Sequence, residues 1–428
     1  MNKGFVLLAG FLTAHSVFSQ TPLTLSEAIR IALENNPDIQ IARNNAANAK
    51  NEARIGNAGL FPKFTLSTGA VYSEDNSRLT PKDASTTTSA QLQAAYTLFD
   101  GLGNIYRLKK LKAGSRLGQA EAQYQIESVI LQIAEGYYRT AAAYENWQIA
   151  EELVRLSRER LNRVRNRSGY GQARTLDVLS ARVDLNADSV TLTQSALLYE
   201  QNKRSLNLLL FRNIDTPISV DTSVTIDLCK SLKNLTDQAL EKNALLQAAR
   251  LRALQAQYQY YVSKTAHLPR LDLSASYGYN QLNPDIDFTM NDPAKTIRIG
   301  ATFSFNLFNG FQTNIQRQNA GRAFENQILL SEQAVLSLKR DMANAYQGFQ
   351  TSLNVWDLAR RSLEVALLNF NRSEALYQLG QVTTTQFREA QLNLIRAQSQ
   401  VSSAKYDTKL NEMGVRQLIG DLVVWKEN

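Results

Sequence analysis

Residues 297–307 read Ile297-Arg298-Ile299-Gly300-Ala301-Thr302-Phe303-Ser304-Phe305-Asn306-Leu307. Every odd position is apolar and every even one is small or polar. A period of two is that of a strand with one oily and one wet face. Three further segments share it. Phe64, Leu66, Ala70 and Tyr72 alternate with Thr65, Ser67 and Gly69. Leu92, Ala94, Tyr96 and Leu98 alternate with Gln91, Gln93 and Thr97. Leu271, Leu273, Ala275, Tyr277 and Tyr279 alternate with Asp272, Ser274, Ser276, Gly278 and Asn280. The predicted strands are 61–74, 88–99, 270–281 and 296–308. Each has the length of about ten residues that a tilted strand needs to cross a bilayer. The small, polar face suits a wet lumen, and the Tyr and Phe near the ends suit an interfacial girdle. The alternative is a half-buried soluble sheet. The long polar loops at 75–88 and 281–296, with Pro81, Pro284 and Pro293, read as extracellular.

Outward from these strands, the chain repeats itself. Leu307-Phe308-Asn309-Gly310 answers Leu98-Phe99-Asp100-Gly101, and His267-Leu268-Pro269-Arg270 answers Leu60-Phe61-Pro62-Lys63. Leu379-Gly380-Gln381 answers Tyr170-Gly171-Gln172. Pro269 follows Pro62 by 207 residues, Gly310 follows Gly101 by 209, and Gly380 follows Gly171 by 209. A near-constant offset over three landmarks marks two tandem units, expected at 20–212 and 233–428 with a linker at 213–232.

No proline falls in 82–216 or 294–428, and helix interiors exclude proline. Ile130, Ala134, Tyr137, Ala141 and Tyr144 step by four and three, a heptad seam. Each unit is predicted as helix, strand, strand, long helix, turn, helix. The helix at 104–166 would extend roughly 95 Å at ~1.5 Å per residue. The flanking helices 26–57 and 174–212 together match its length, as do 233–266 and 384–420 for the long helix 311–378. One continuous helix beside two stacked ones makes a tube wall. Thr24 and Glu27 form a capping-box signature at the first helix.

Composition narrows the function. Lys3 and the apolar run Phe5–Leu12, followed by Val17-Phe18-Ser19, predict a signal peptide at 1–19, with a membrane anchor as the alternative. No other apolar run is long enough for a transmembrane helix. The formal charge of +8 becomes +7 when Lys3 leaves. The basic residues are dispersed, which argues against nucleic acid as a partner. Of the two His and one Cys, His15 lies in the leader, leaving His267 and Cys229. That set builds no His/Cys metal cluster or disulfide and leaves little scope for a Ser-His-Asp site, and His267, just before a predicted strand, reads as structural. No enzyme activity, cofactor or metal is expected. Four strands do not close a barrel, and open edges are forbidden in lipid. The chain must therefore share a barrel with copies of itself; two copies give eight strands and three give twelve.

The fold class is thus mixed and mainly α: tandem long-helix hairpins forming an α-barrel, plus four membrane strands per chain contributing to a shared β-barrel. This pattern resembles the TolC-like outer-membrane efflux family. The resemblance is carried by Leu23-Thr24-Leu25-Ser26-Glu27-Ala28 through Ala32-Leu33-Glu34-Asn35-Asn36-Pro37, the tandem repeat, the strand exits and the tip Gly171 to Ala181. It implies a homotrimer in the outer membrane with its helical tunnel in the periplasm. It also implies docking to a periplasmic adaptor and an inner-membrane pump that supplies the energy, so that the duct does no chemistry. The turns 167–174 and 377–384, with Gly171, Gln172, Gly380 and Gln381, are the implied adaptor contacts. In such proteins a Tyr, an Arg and two acids gate the second tip. Here Tyr377 and Glu389 match, Val382 stands for the Arg and Gln386 for the first acid, which implies a weaker cation preference. The competing reading is a secreted or surface coiled-coil protein without a pore. Substrate is not legible: Met290, Met342 and Met413 are scattered and form no ligand track.

Overall fold

The computed structural model describes residues 22–75, 83–228, 230–284 and 294–422. The expected signal peptide, Cys229, Pro81 and Pro293 lie outside the described residues. The elements are α1 (Leu25–Asn35), α2 (Pro37–Glu52), β1 (Lys63–Asp75), β2 (Asp83–Phe99), α3 (Gly103–Gly169), α4 (Thr175–Leu209), α5 (Leu232–Lys242), α6 (Ala244–Thr265), β3 (Arg270–Pro284), β4 (Ala294–Ser304), α7 (Gln312–Gln378) and α8 (Thr384–Leu418). They form two compact units. One comprises Met1–Asn36, Gln132–Ile226 and Ser352–Leu410; the other comprises Pro37–Leu131, Asp227–Thr351 and Asn411–Asn428. Each unit draws on both sequence halves.

The strands make one antiparallel sheet in the order β1-β2-β3-β4. Its register sorts the side chains cleanly. Leu66, Leu92, Tyr277 and Ile297 form one cross-strand row, and Phe64, Ala94, Ala275 and Ile299 the next on that face. Thr65, Gln93, Ser276 and Arg298 form a row on the other face. Ile299 is 83% exposed and Phe303 69%. A sheet whose oily face has no protein cover among the described residues is built for an apolar surrounding.

Strand ends depart from the sequence expectation where the partner strand decides them. β2 begins at Asp83 rather than 88, because Thr86, Thr87 and Thr88 pair with Tyr72, Val71 and Ala70. β3 runs on to Pro284. β4 stops at Ser304 rather than 308, because its partner β3 begins at Arg270, opposite Ser304. β1 starts at Lys63 rather than 61, as Pro62 has no N–H to give a ladder.

The long helices α3 and α7 each have 67 residues, about 100 Å at 1.5 Å per residue. The seam residues Ile130, Ala134, Tyr137 and Ala141 are buried, and Tyr144 is half-buried. The helix expected at 26–57 is instead broken at Asn36. The following Pro37 pushes that residue into extended backbone, with φ −65° and ψ 125°. The helix expected at 233–266 breaks likewise at Asn243, which closes α5 and caps α6 by accepting from the Leu246 N–H at 2.9 Å. Both breaks serve one purpose. Asn36 Nδ2 donates to the Leu209 carbonyl at 2.8 Å at the end of α4. Asn243 Nδ2 donates to the Leu418 carbonyl at 3.0 Å at the end of α8. Each asparagine satisfies a carbonyl orphaned at a helix C-terminus.

The segment after α4 is tied down by Tyr137. Its hydroxyl donates to the Leu23 carbonyl at 2.8 Å and accepts from the Asp221 N–H at 3.1 Å. Leu23 also bridges Val220 in parallel.

Glu127 on α3 is 2% exposed, accepts from Gln123 Nε2 at 2.6 Å, and burial pushes its carboxyl up to about 7. A carboxyl raised in the folded state favours folding when protonated. That contribution is complete below the ordinary value of 4.5 and is lost as the pH rises through 7. Glu127→Gln is expected to stabilise the protein at pH 8 by up to about 3 kcal/mol and to change little at pH 4.5. Thermal midpoints at the two pH values check this; an equal shift at both would refute it.

Candidate functional site

The two helix-hairpin tips are built alike. α3 ends with the Gly171 N–H on the Ser168 carbonyl and the Gln172 N–H on the Arg167 carbonyl. α7 ends with the Gly380 N–H on the Tyr377 carbonyl and the Gln381 N–H on the Leu376 carbonyl. Both glycines are left-handed, with φ of 73° and 76°, the conformation that glycine enters without a Cβ penalty. Gly171, Gln172, Gly380 and Gln381 are all exposed.

The next helices are capped in complementary ways. Asp177 accepts from the Arg174 N–H at 3.1 Å. Gln386 Oε1 accepts from the Thr383 N–H at 2.9 Å, while the Gln386 N–H donates to Thr383 Oγ1 at 3.2 Å. This is a reciprocal capping box, so the Gln386 side chain is engaged on its own helix. Glu389 is exposed and has no partner among the described residues. Tyr377 is 2% exposed and stacks on Phe387 at 4.7 Å between ring centres. Leu156, Val164, Phe370 and Leu394 complete that cluster, and Val382 packs against it. The Arg167 guanidinium lies 5.8 Å from the Tyr377 ring. The first tip thus supplies a cation beside Tyr377, where Val382 offers none.

Behind the tips lies a buried charge cluster that sequence reasoning missed. Arg388 on α8 makes a two-pronged contact with Asp188 on α4, at 2.6 and 2.8 Å. Ser157 on α3 donates to the same carboxylate. One turn away, Arg160, fully enclosed, pairs with Asp184 at 2.6 Å. Burial pulls the Arg160 guanidinium down from its ordinary value, Asp184 opposes this, and Arg388 adds to it. Arg163 on α3 also reaches Glu374 on α7, at 3.4 Å. The cluster joins the first hairpin to the second. Its one sequence signal is the pair Asp184 and Asp188, four apart on one helix face. Several buried atoms here have no protein partner among the described residues: the Tyr377 hydroxyl, both amide atoms of Gln391, and Arg160 Nε and Nη1. The tip is held by a few charged contacts between its helices.

Among the described residues no group of three or more His, Cys, Asp or Glu could hold a metal ion, and no helix is long and apolar enough to cross a membrane. The sheet, with its bare apolar face, is the element suited to lipid.

These features define an outer-membrane channel subunit with a helical extension. The profile of the family described as outer membrane efflux protein matches residues 28–210 and 235–421, one stretch in each half. The chain belongs to that family. It is 24% identical to the outer membrane protein TolC of Salmonella enteritidis over 99% of this chain and 87% of the relative. It is 21% identical to the cation efflux system protein CusC of Escherichia coli O157:H7 over 94% of this chain and 86% of the relative. The crystal structure of the Campylobacter jejuni CmeC outer membrane channel superposes with a TM-score of 0.79 at 18% identity, over 93% of this chain and 85% of that one. Members of the family are channels rather than enzymes. This chain is an outer-membrane efflux channel subunit whose helical part lies in the periplasm.

Proposed function

We propose that three copies of the chain close one twelve-stranded barrel and give passive exit to substrates. These arrive from a periplasmic adaptor and an inner-membrane pump docked at the tips. The observation that carries this reading is the sheet itself: β1 and β4 are unpaired edges, and an open edge does not persist in lipid. Neighbouring copies supply the missing pairing. The helices support it. Leu176, Leu179, Val183, Val190 and Leu197 on α4, and Leu358, Val365 and Leu368 on α7, are each more than half exposed. Stripes of this kind at helical spacing fit the seam between copies.

Gly171, Gln172, Gly380 and Gln381 are the proposed adaptor contacts, being exposed at the two turns. Tyr377, Gln386 and Glu389 are the proposed gate positions. Tyr377 acts from inside the tip core, Gln386 holds the start of α8, and Glu389 faces solvent. The buried pair Arg388–Asp188 holds the second hairpin closed.

Extraction from outer membranes is expected to yield a heat-modifiable trimer that forms discrete channels in planar bilayers. A protein that is released without detergent and gives no channels would instead be the coiled-coil surface protein.

A further inference from the structure

The wet face of the sheet is nearly free of charge, so its exceptions carry information. Nearest the helices, Arg270 and Asp272 pair at 2.7 Å and cancel. Beyond them comes the row Lys63, Ala95, Ser274 and Gly300, then the row Thr65, Gln93, Ser276 and Arg298. The next row, Ser67, Gln91, Gly278 and Thr296, is neutral. Lys63 and Arg298 therefore stand in adjacent rows, both exposed, and neither has an ion-pair or hydrogen-bond partner among the described residues.

We propose that Lys63 and Arg298 form a basic belt around the waist of the lumen and that anionic solutes are the class this duct passes most readily. The inference rests on the shared-barrel reading above. In that barrel the β4 edge, which carries Arg298, closes against the β1 edge of the next copy, which carries Lys63. Like charges gathered around one lumen repel one another, and an anion entering it relieves the repulsion. Twelve strands about 4.8 Å apart and tilted about 40° close a ring of roughly 12 Å backbone radius. The belt charges thus lie within about one Debye length of the axis at 0.1 M. Six unit charges at that distance enrich a monovalent anion on the axis by roughly threefold after screening. The fixed charge faces water rather than lipid, so its natural partner is a solute in transit.

The test uses the full-length trimer in planar bilayers under a potassium chloride gradient near 0.1 M. In the double variant Lys63→Gln, Arg298→Gln, the chloride-to-potassium permeability ratio is expected to fall about threefold or more, whereas Arg298→Lys keeps it. At 1 M, where the Debye length is about 3 Å, the difference should collapse. Channels of the double variant that keep the wild-type ratio at 0.1 M overturn the proposal. The two charges would then only guard the sheet edges. If the double variant does not assemble, the wild type decides: citrate should block potassium current at lower concentration than hexaamminecobalt trication, and the reverse order overturns the belt. Wild-type protein that forms no channel at all removes the duct reading, and the belt with it.

Discussion

Ile299→Lys is expected to abolish the proposed outer-membrane trimer, whereas Thr302→Lys, three residues along the same strand, leaves it intact. Ile299 lies at the middle of β4 on the apolar face, beside Ala275. Thr302 lies on the wet face opposite Asp272. A lysine facing lipid near the bilayer midplane costs about 2–4 kcal/mol per chain. Shared over three chains, that is roughly 6–12 kcal/mol, comparable with the whole stability of a typical domain. A lysine facing the lumen remains in water. Heat-modifiable trimer recovered from outer membranes measures both. Equal recovery of the two variants would remove the assignment of the faces, and with it the barrel.

Arg388→Leu is expected to open the tip. Asp188 is 4% exposed, and it receives both prongs of the Arg388 guanidinium. Removing the cation leaves a buried carboxylate hydrogen-bonded only by Ser157, with Arg160 as its one remaining nearby cation, at a cost of about 3 kcal/mol. The cheapest relief is to move α8 away from α3 and α4 and let water reach the carboxylate. Single-channel conductance should then rise several-fold over the wild type. The double variant Arg388→Leu, Asp188→Leu should recover part of the closed state, because two apolar side chains fill the space without stranding a charge. Unchanged conductance in Arg388→Leu, with the trimer intact, would make the cluster a structural feature with no part in gating.

Much of this arrangement is visible before folding. The odd-even pattern from Ile297 to Phe303 assigns each side chain to lipid or lumen, because a strand turns its side chains over at every residue. The glycines at 171 and 380 mark the tips, because the turns need positive φ. Other elements are not legible locally. Asn243 breaks a helix with no proline beside it, and it does so where it can cap the distant Leu418 carbonyl. β2 extends back to Asp83 because β1 is there to pair with it. Arg388 and Asp188 read as ordinary solvated helix charges until α4 and α8 meet. Gln386 occupies a gate position by resemblance, yet its side chain caps α8 through Thr383.

The sequence by itself determined the two faces of the strands, the tandem repeat and the proline-free long helices. All of these follow from interactions within a few residues, where periodicity and backbone chemistry leave one answer. Tertiary structure alone decided the strand ends, the helix break at Asn243, the Arg388–Asp188 lock, and the placing of Lys63 and Arg298 in adjacent rows of the wet face. The last three join residues about 175 to 235 positions apart, and the partners of all four are set by packing and register, which no local pattern encodes.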